Sequence, residues 1–442
     1  MKNNSQELFE SASIPKAFLI LTIPTVLSKA VMLIYNLVDT WFVAAANDTA
    51  LVAAVSLCLP IITTMSAIGD IWGIGGSSMI SRLFGLGEKE KARKVSALCF
   101  YGALACGIAA AFIMYFMKTP VLHLLGADET TMAYASEYYS ILLLGAPAIV
   151  LCTVPMHFLR TEGLANASMM GSLVGAVVHI ILVPVLMFSL NMGIAGAAWA
   201  TVWGYLANLL LYLWYTVRRC QLSTIAPEEF QFRGDTLKDV LSIGVPSALT
   251  TLMQSVALTM TNRYLLIYGT DQVAAYGIAI KLIMIASIFQ VGFSFGAQPL
   301  IGYNYAKTDH TRLKAILRFN YGFMTVVSLA ATILLWIFAP QLMSVFMDDP
   351  KVVSAGIIMT RYQLAGLVFT GIVMVSTAVF RSAGKPMESL LLSISRQGIL
   401  YAVVIVTANA LFGYQGILAA QPVADFLTML MAVVLLRPVF RE

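Results

Sequence analysis

The chain alternates between long apolar stretches and short polar ones, and the apolar stretches are too long for the core helices of a soluble fold. Twelve can be traced, at about 15–45, 51–82, 92–117, 131–159, 165–189 and 193–217, then 238–268, 271–305, 312–340, 351–381, 387–411 and 415–437. Each exceeds the ~20 residues that take a helix across the hydrocarbon core, so several are expected to tilt, bend or extend past it. The pattern predicts an all-α polytopic membrane protein with twelve transmembrane helices. The polar first thirteen residues lack the basic-then-apolar layout and small-residue cleavage site of a removable signal, so the first apolar stretch is expected to remain as a span.

Composition agrees. Apolar residues make up 59% of the 442 and charged residues 11%, against roughly 25% charged in soluble domains. The net charge of +5 sits in the loops, where it orients the chain in the membrane rather than marking a nucleic-acid surface. Lysines and arginines outside the spans crowd onto one side, from Lys2 and Lys16 through Arg82–Lys94, Arg218–Lys238 and Lys307–Arg318 to Arg437 and Arg441. Only Lys118 and Lys351 fall on the other. This asymmetry predicts an integral plasma (inner) membrane protein with both termini in the cytoplasm. Cys58, Cys99, Cys106 and Cys152 lie in apolar runs and Cys220 in a basic loop. No metal-type spacing is present, so they read as reduced packing residues, with no metal site.

The two halves repeat at an offset of about 221 residues: Pro24 with Pro246, Val52-Ala53-Ala54 with Val273-Ala274-Ala275, Gly145 with Gly366, Arg160 and Gly163 with Arg381 and Gly384, and Gly193 and Gly196 with Gly413 and Gly416. Glycine and proline mark kinks and close helix approaches, which a duplicated fold retains. The expected organisation is an N-lobe over 1–217 (spans 1–6), a cytoplasmic inter-lobe loop over 218–237 and a C-lobe over 238–442 (spans 7–12). Six spans per half is even, so the pseudo-symmetric six-helix lobes insert the same way up around a central cavity. The loop, with Pro227 and Gly234, is the expected hinge.

Charges inside spans cost about 2.5–3.5 kcal/mol each on insertion scales and so need a partner or a task. The bases are Lys29, Arg263, Lys281, Arg361 and Arg396; the acids are Asp39, Asp70 and Asp425. Asp39 is the leading candidate. Tyr35 and Asn36 precede it by one helical turn and share its face, and Pro24 lies below as a candidate helix kink. Low-dielectric surroundings favour the neutral carboxyl, which suits binding and releasing a proton; the alternative is a structural ion pair. Asp70, beside the Gly73, Gly75, Gly76 cluster, either binds an ion or neutralises Lys29, Lys281 or another cation. His179 is a titratable group or a hydrogen-bonded packing residue, and His157 is a weaker case of the same kind. The abundant methionines and phenylalanines fit an adaptable ligand cavity and equally fit ordinary packing.

Several of these elements together resemble the MATE (multidrug and toxic compound extrusion) family over essentially the whole chain. They are Pro24 through Tyr35-Asn36-Leu37-Val38-Asp39-Thr40, Gly292 with Gln298-Pro299-Leu300-Ile301-Gly302-Tyr303-Asn304-Tyr305, Arg160 with Gly163, Gly193-Ile194-Ala195-Gly196-Ala197-Ala198, and Arg396-Gln397. The resemblance implies a secondary antiporter exporting organic compounds in exchange for H⁺ or Na⁺, with no other cofactor. The sodium-pump-like branch has a glutamate where this chain has Gln254, so the sequence looks closer to the DinF/MepA-like branch, with coupling at N-lobe carboxylates. That branch's fifth span reads Asn-x-x-x-Asp, and here those positions are His179 and Val183. The implied coupling site is therefore Asp39 with His179 and Asp70. Tyr35, Asn36 and Thr201, with Gln254, Asn262 and Arg263 from the second half, are expected to line the substrate path.

The expected partners are small organic substrates and the lipid bilayer, with no nucleic acid and function as a monomer. The substrates are amphiphilic; Arg263, Lys281 or Arg361 facing the cavity would instead favour an anionic metabolite. A related lipid or lipid-linked saccharide flippase would carry a strongly cationic cavity open to lipid. An enzyme would need a catalytic constellation that the sequence does not display, and a scaffold or receptor would show no transport.

Overall fold

The computed structural model describes residues 4–44, 48–307, 310–347 and 349–441; Lys2, counted above among the orienting charges, lies outside them. The first half runs α1 (Asn4–Glu10), α2 (Ile14–Ala44), α3 (Thr49–Gly85), α4 (Lys89–Phe116), α5 (Lys118–Leu124), α6 (Met132–Thr161), α7 (Ala165–Pro184) and α8 (Gly193–Arg219). The second runs α9 (Gly234–Leu266), α10 (Thr270–Gly296), α11 (Gln298–Tyr305), α12 (Thr311–Phe346), α13 (Pro350–Ala365), α14 (Leu367–Ser382), α15 (Pro386–Gln397), α16 (Ile399–Phe412) and α17 (Tyr414–Arg441). No strand occurs among the described residues. Among the described residues eleven helical stretches are long and apolar enough to cross a membrane, and twelve when α13 and α14, bent by 44° at Gly366, count as one span. The sequence pattern has 351–381 as a single apolar run; hydropathy does not register the break because both arms are equally apolar. Large apolar side chains stand exposed along the helices, among them Trp41, Phe112, Phe116, Leu144 and Leu411, as expected for a lipid-facing surface and not for a soluble monomer.

By internal contact the chain forms two compact units, one of Leu27–Val245 with the short stretch ending at Phe9, the other of Glu10–Val26 with Pro246 onward. The helix α2 runs unbroken through Pro24, and its N-terminal part belongs with the second unit. There Phe18 is fully buried with its ring 5.3 Å from Phe319 and 5.2 Å from Phe323. Glu10 accepts from Tyr303 and pairs with Lys307. Gly292 and Gly296 on α10 let α2 in: a Cβ at either would come within 2.8 Å of backbone carbons of Val26 and Thr22. That contact is a physical reason for the glycine ahead of the Gln298–Tyr305 signature.

The stretch joining the halves is docked against the first unit. The Glu162 carboxylate accepts from the backbone N–H groups of Gln221 at 2.6 Å, Leu222 at 3.1 Å and Ser223 at 2.7 Å. The Ser96 hydroxyl donates to the Thr224 carbonyl and accepts from its N–H, Tyr101 donates to the Ile225 carbonyl, and Arg93 pairs with Glu229. Burial pushes the Glu162 carboxyl up, opposed by the three N–H donors. The first part of α9 follows the loop: a Cβ on Gly244 would lie 1.9 Å from the Ile71 carbonyl oxygen. The loop expected to hinge is thus held at six described residues, Gln221 to Ile225 and Glu229, within one unit.

Candidate functional site

Close glycine contacts build the site. On α7 and α8, a Cβ at Gly175 would lie 2.8 Å from the Gly204 carbonyl oxygen, and one at Gly204 would lie 3.0 Å from the His179 Cβ. These contacts carry His179 to Thr201, with Nε2 3.4 Å from the hydroxyl oxygen. From α2, Asp39 Oδ1 comes to 3.2 Å of the same Nε2, and the Tyr35 ring centroid lies 4.3 Å from the imidazole's. Asp39 is 9% exposed, and His179 and Thr201 are 1% exposed each. The Asp39–His179 pair is within ion-pair distance but off hydrogen-bond alignment: Asp39 Oδ1 and His179 Nδ1 are both buried without a hydrogen-bond partner. Buried polar atoms are nearly always satisfied, so this pocket has spare capacity for a proton or a polar ligand.

A second cluster lies at α3 and α6. A Cβ at Gly69 would meet the Val150 carbonyl oxygen at 2.3 Å, and one at Gly73 the His157 ring at 2.8 Å. Only glycine permits that approach, which sets Asp70 Oδ1 3.2 Å from His157 Nε2. Asp70 therefore pairs with His157 rather than with Lys29. Lys29, Asp70 and Arg160 line one cavity of about 160 Å³ with Tyr35, Thr201 and Asn208, roughly ten times the minimum that admits a single water.

Other expected site residues are not among those that line this cavity. Asn36 is on the exposed side of α2, and it is not among the lining residues. Gln254 and Arg263 are exposed on α9, and Asn262 is half-buried there. In the second unit Arg396 Nε lies 2.9 Å from Asp425 Oδ1, and Asp425 also accepts from Gln421 and Thr370 at 3.0 Å each. Arg361 stacks on Trp336, 5.4 Å from the ring centre. Sequence reasoning passed over Asn208 and gave little weight to His157 and Arg160. A small-residue ridge at Gly69, Gly73 and Gly76 was the available signal that α3 closes on neighbours.

Among the described residues no three His, Cys, Asp or Glu side chains group closely enough to hold a metal ion.

Comparison with known proteins fits this arrangement. The MatE family matches the chain twice, over residues 24–185 and 246–407, two stretches starting 222 residues apart. A multidrug export protein, MepA, from Staphylococcus saprophyticus is 28% identical over 437 residues, covering 98% of this chain and 96% of that one. MepA from Staphylococcus aureus is 25% identical over 435 residues, with the same coverage of both chains. Among solved structures, an outward-facing multidrug resistance MATE transporter of the MOP superfamily superposes with a TM-score of 0.91 at 26% identity, covering 98% of this chain and 97% of that one. A MOP superfamily transporter from Pyrococcus furiosus, described as having a binding pocket of reversed polarity, superposes at 0.90 with 26% identity and the same coverage.

Proposed function

The chain belongs to the MATE family of membrane transporters, and from that premise we propose that it is a secondary active antiporter exporting amphiphilic organic compounds in exchange for H⁺ or Na⁺ by alternating access. The reading rests on one observation above the rest: a buried aspartate, Asp39, set 3.2 Å from a buried histidine, His179, each with a polar atom left unpartnered. Such a pair can take up a proton on either side chain, and the bound proton changes which hydrogen bonds the pocket can form. Thr201 and Tyr35 complete the pocket, and Tyr35 and Thr201 also line the adjoining cavity, so ion and substrate would act on shared side chains. One proton crossing 100 mV supplies about 2.3 kcal/mol, enough to drive uphill export without any covalent step. Multidrug export by the MepA relatives supports organic compounds as cargo. The antiporter would work as a monomer in the plasma membrane, with both termini cytoplasmic.

The test is substrate efflux from proteoliposomes under an imposed pH or sodium gradient. Asp39→Asn is expected to reduce gradient-driven efflux at least tenfold while leaving substrate binding within a few-fold. Undiminished gradient-driven efflux in Asp39→Asn would overturn the assignment. His179→Asn should shift the pH dependence of efflux; an unchanged profile would assign His179 to packing alone.

A further inference from the structure

The cavity in the first unit is lined by more positive than negative charge. Lys29 and Arg160 both line it, and the acid among its lining residues, Asp70, has its Oδ1 3.2 Å from His157. The neighbouring acids are committed elsewhere. Glu162 accepts three backbone N–H bonds from residues 221–223. Asp39 sits against His179, ten residues from Lys29 and so about 15 Å along α2. No described carboxylate is paired with the Lys29 ammonium. Arg160 is 5% exposed. Its Nε donates to the Ser168 hydroxyl at 3.0 Å, and its Nη2 is buried with no hydrogen-bond partner. Two cations of low exposure facing one engaged carboxylate are costly in a low-dielectric surround unless an anion joins them.

We infer that this cavity binds the anionic group of an amphiphilic cargo, a carboxylate or phosphate seated between the Lys29 ammonium and the Arg160 guanidinium. Lysine supplies a mobile point charge, and the free end of the arginine fork supplies directed donors. Val31, Met32, Cys152 and Met156 in the same lining receive the apolar body. The Asn208 carbonyl oxygen, buried and without a partner on this wall, accepts from an N–H or O–H on the ligand. The anion-recognising charge is thus on α2 and α6 of the first half, while Arg263 and Lys281 are exposed on α9 and α10. That the ligand is cargo rests on the transporter reading; its sign rests on the buried charges alone.

The experiment uses the full chain in phosphatidylcholine vesicles and three matched fluorescent probes: dansylglycine, its methyl ester and a dansyl quaternary ammonium. Dansylglycine is expected to bind at least about tenfold more tightly than the ester, the scale of a charge-assisted hydrogen bond. Lys29→Gln should remove that preference and leave ester binding unchanged, and Lys29→Arg should restore it. Lys29 carries the test because Arg160 also holds Ser168. Equal binding of acid and ester in the parent chain, or an equal loss of both in Lys29→Gln, would overturn the site. Adding phosphatidylglycerol separates two sources of the anion: failure to displace dansylglycine supports a cargo anion, and displacement assigns the site to a lipid headgroup and overturns the cargo assignment. Gradient-driven efflux of dansylglycine is measured in parallel. Its absence alongside an intact acid preference in binding would sink the antiporter reading and leave the anion site standing.

Discussion

The two halves of the chain share a scaffold and differ in what fills it. Arg160 Nε donates to Ser168 at 3.0 Å, and Arg381 Nε donates to Ser389 at 3.3 Å, eight residues on in both cases. Gly163 and Gly384 end the preceding helices at φ +79 and +70, a left-handed conformation that glycine adopts without strain. At the repeat positions of Gly175, Thr201 and Tyr205, which line the first half's cavity, the second half has Arg396, Gln421 and Asp425, bonded to one another. Thr261, the counterpart of Asp39, hydrogen-bonds Tyr401, one residue beyond the counterpart of His179. At these matched positions the second half bonds its polar groups to one another, whereas the first leaves Asp39 and His179 each with an atom unpartnered, as it does Arg160 and Asn208; elsewhere in the second half Gln290, Asn320 and Arg361 also keep unpartnered buried atoms. A duplicated fold can thus specialise by leaving hydrogen bonds unmade at one of two matched positions, since unmade bonds are what a ligand can complete.

The contrast can be broken by mutation. Arg396→Met strands Asp425 in the second unit and is expected to destabilise the protein by about 3–5 kcal/mol, read as a lower thermal midpoint in detergent. Lys29→Met, removing an unpaired cation, should leave that midpoint nearly unchanged; an equal drop would erase the distinction between filled and open halves. Next in size, Glu162→Ala orphans three backbone donors that have no analogue at Ala383, and should lower stability by up to about 3 kcal/mol while speeding proteolysis around residues 220–230. Unaltered cleavage there would mean the loop is held by Ser96, Tyr101 and Arg93 alone. Gly175→Ala places a Cβ 2.8 Å from both the Asn208 Cβ and the Gly204 carbonyl oxygen, so about 1–3 kcal/mol of overpacking is expected, with weaker binding in the cavity. Unchanged stability and binding would show that the α7–α8 contact is slack.

The smallest effect concerns the N-terminal ends of α3 and α10. Asp48 caps α3, accepting from Ala50 at 2.9 Å and Leu51 at 3.2 Å, while Gly269 occupies the matching place at φ +116. The Leu51 N–H, with the Tyr134 hydroxyl and the Ala50 N–H, holds the Asp48 carboxyl below its ordinary 3.8. A depressed carboxyl stabilises fully above the unfolded value and loses that contribution as pH falls through the folded one. Amide exchange at residues 50–52 should therefore quicken in acid below about pH 3.8, and exchange at 270–273 should not. Equal acceleration at both ends would deny the cap its role.

The sequence by itself determined the membrane fold, its spans, the internal repeat and the shared face of Tyr35 and Asp39, while the grouping of His179 and Thr201 with Asp39 was what the family resemblance implied. The former follow from apolar length, from one-turn spacing on α2 and from glycine and proline kept at a constant offset, all of which are local or periodic. It did not disclose the break at Gly366, because both arms are apolar, nor that Glu10–Val26 belongs with the second unit. It also left Asp70 undecided between partners. Periodicity says which side of a helix a residue occupies, not which helix faces it. Only the tertiary structure, through glycine contacts such as Gly73 with His157 and Gly204 with His179, decided which charges within the spans meet and which stay unpaired: Asp70 with His157, Asp425 with Arg396, and Lys29 with no carboxylate among the described residues. The physical reason is that a charge's partner in a low-dielectric interior is fixed by a few ångströms of backbone approach, and that distance is set by residues tens of positions away in the chain.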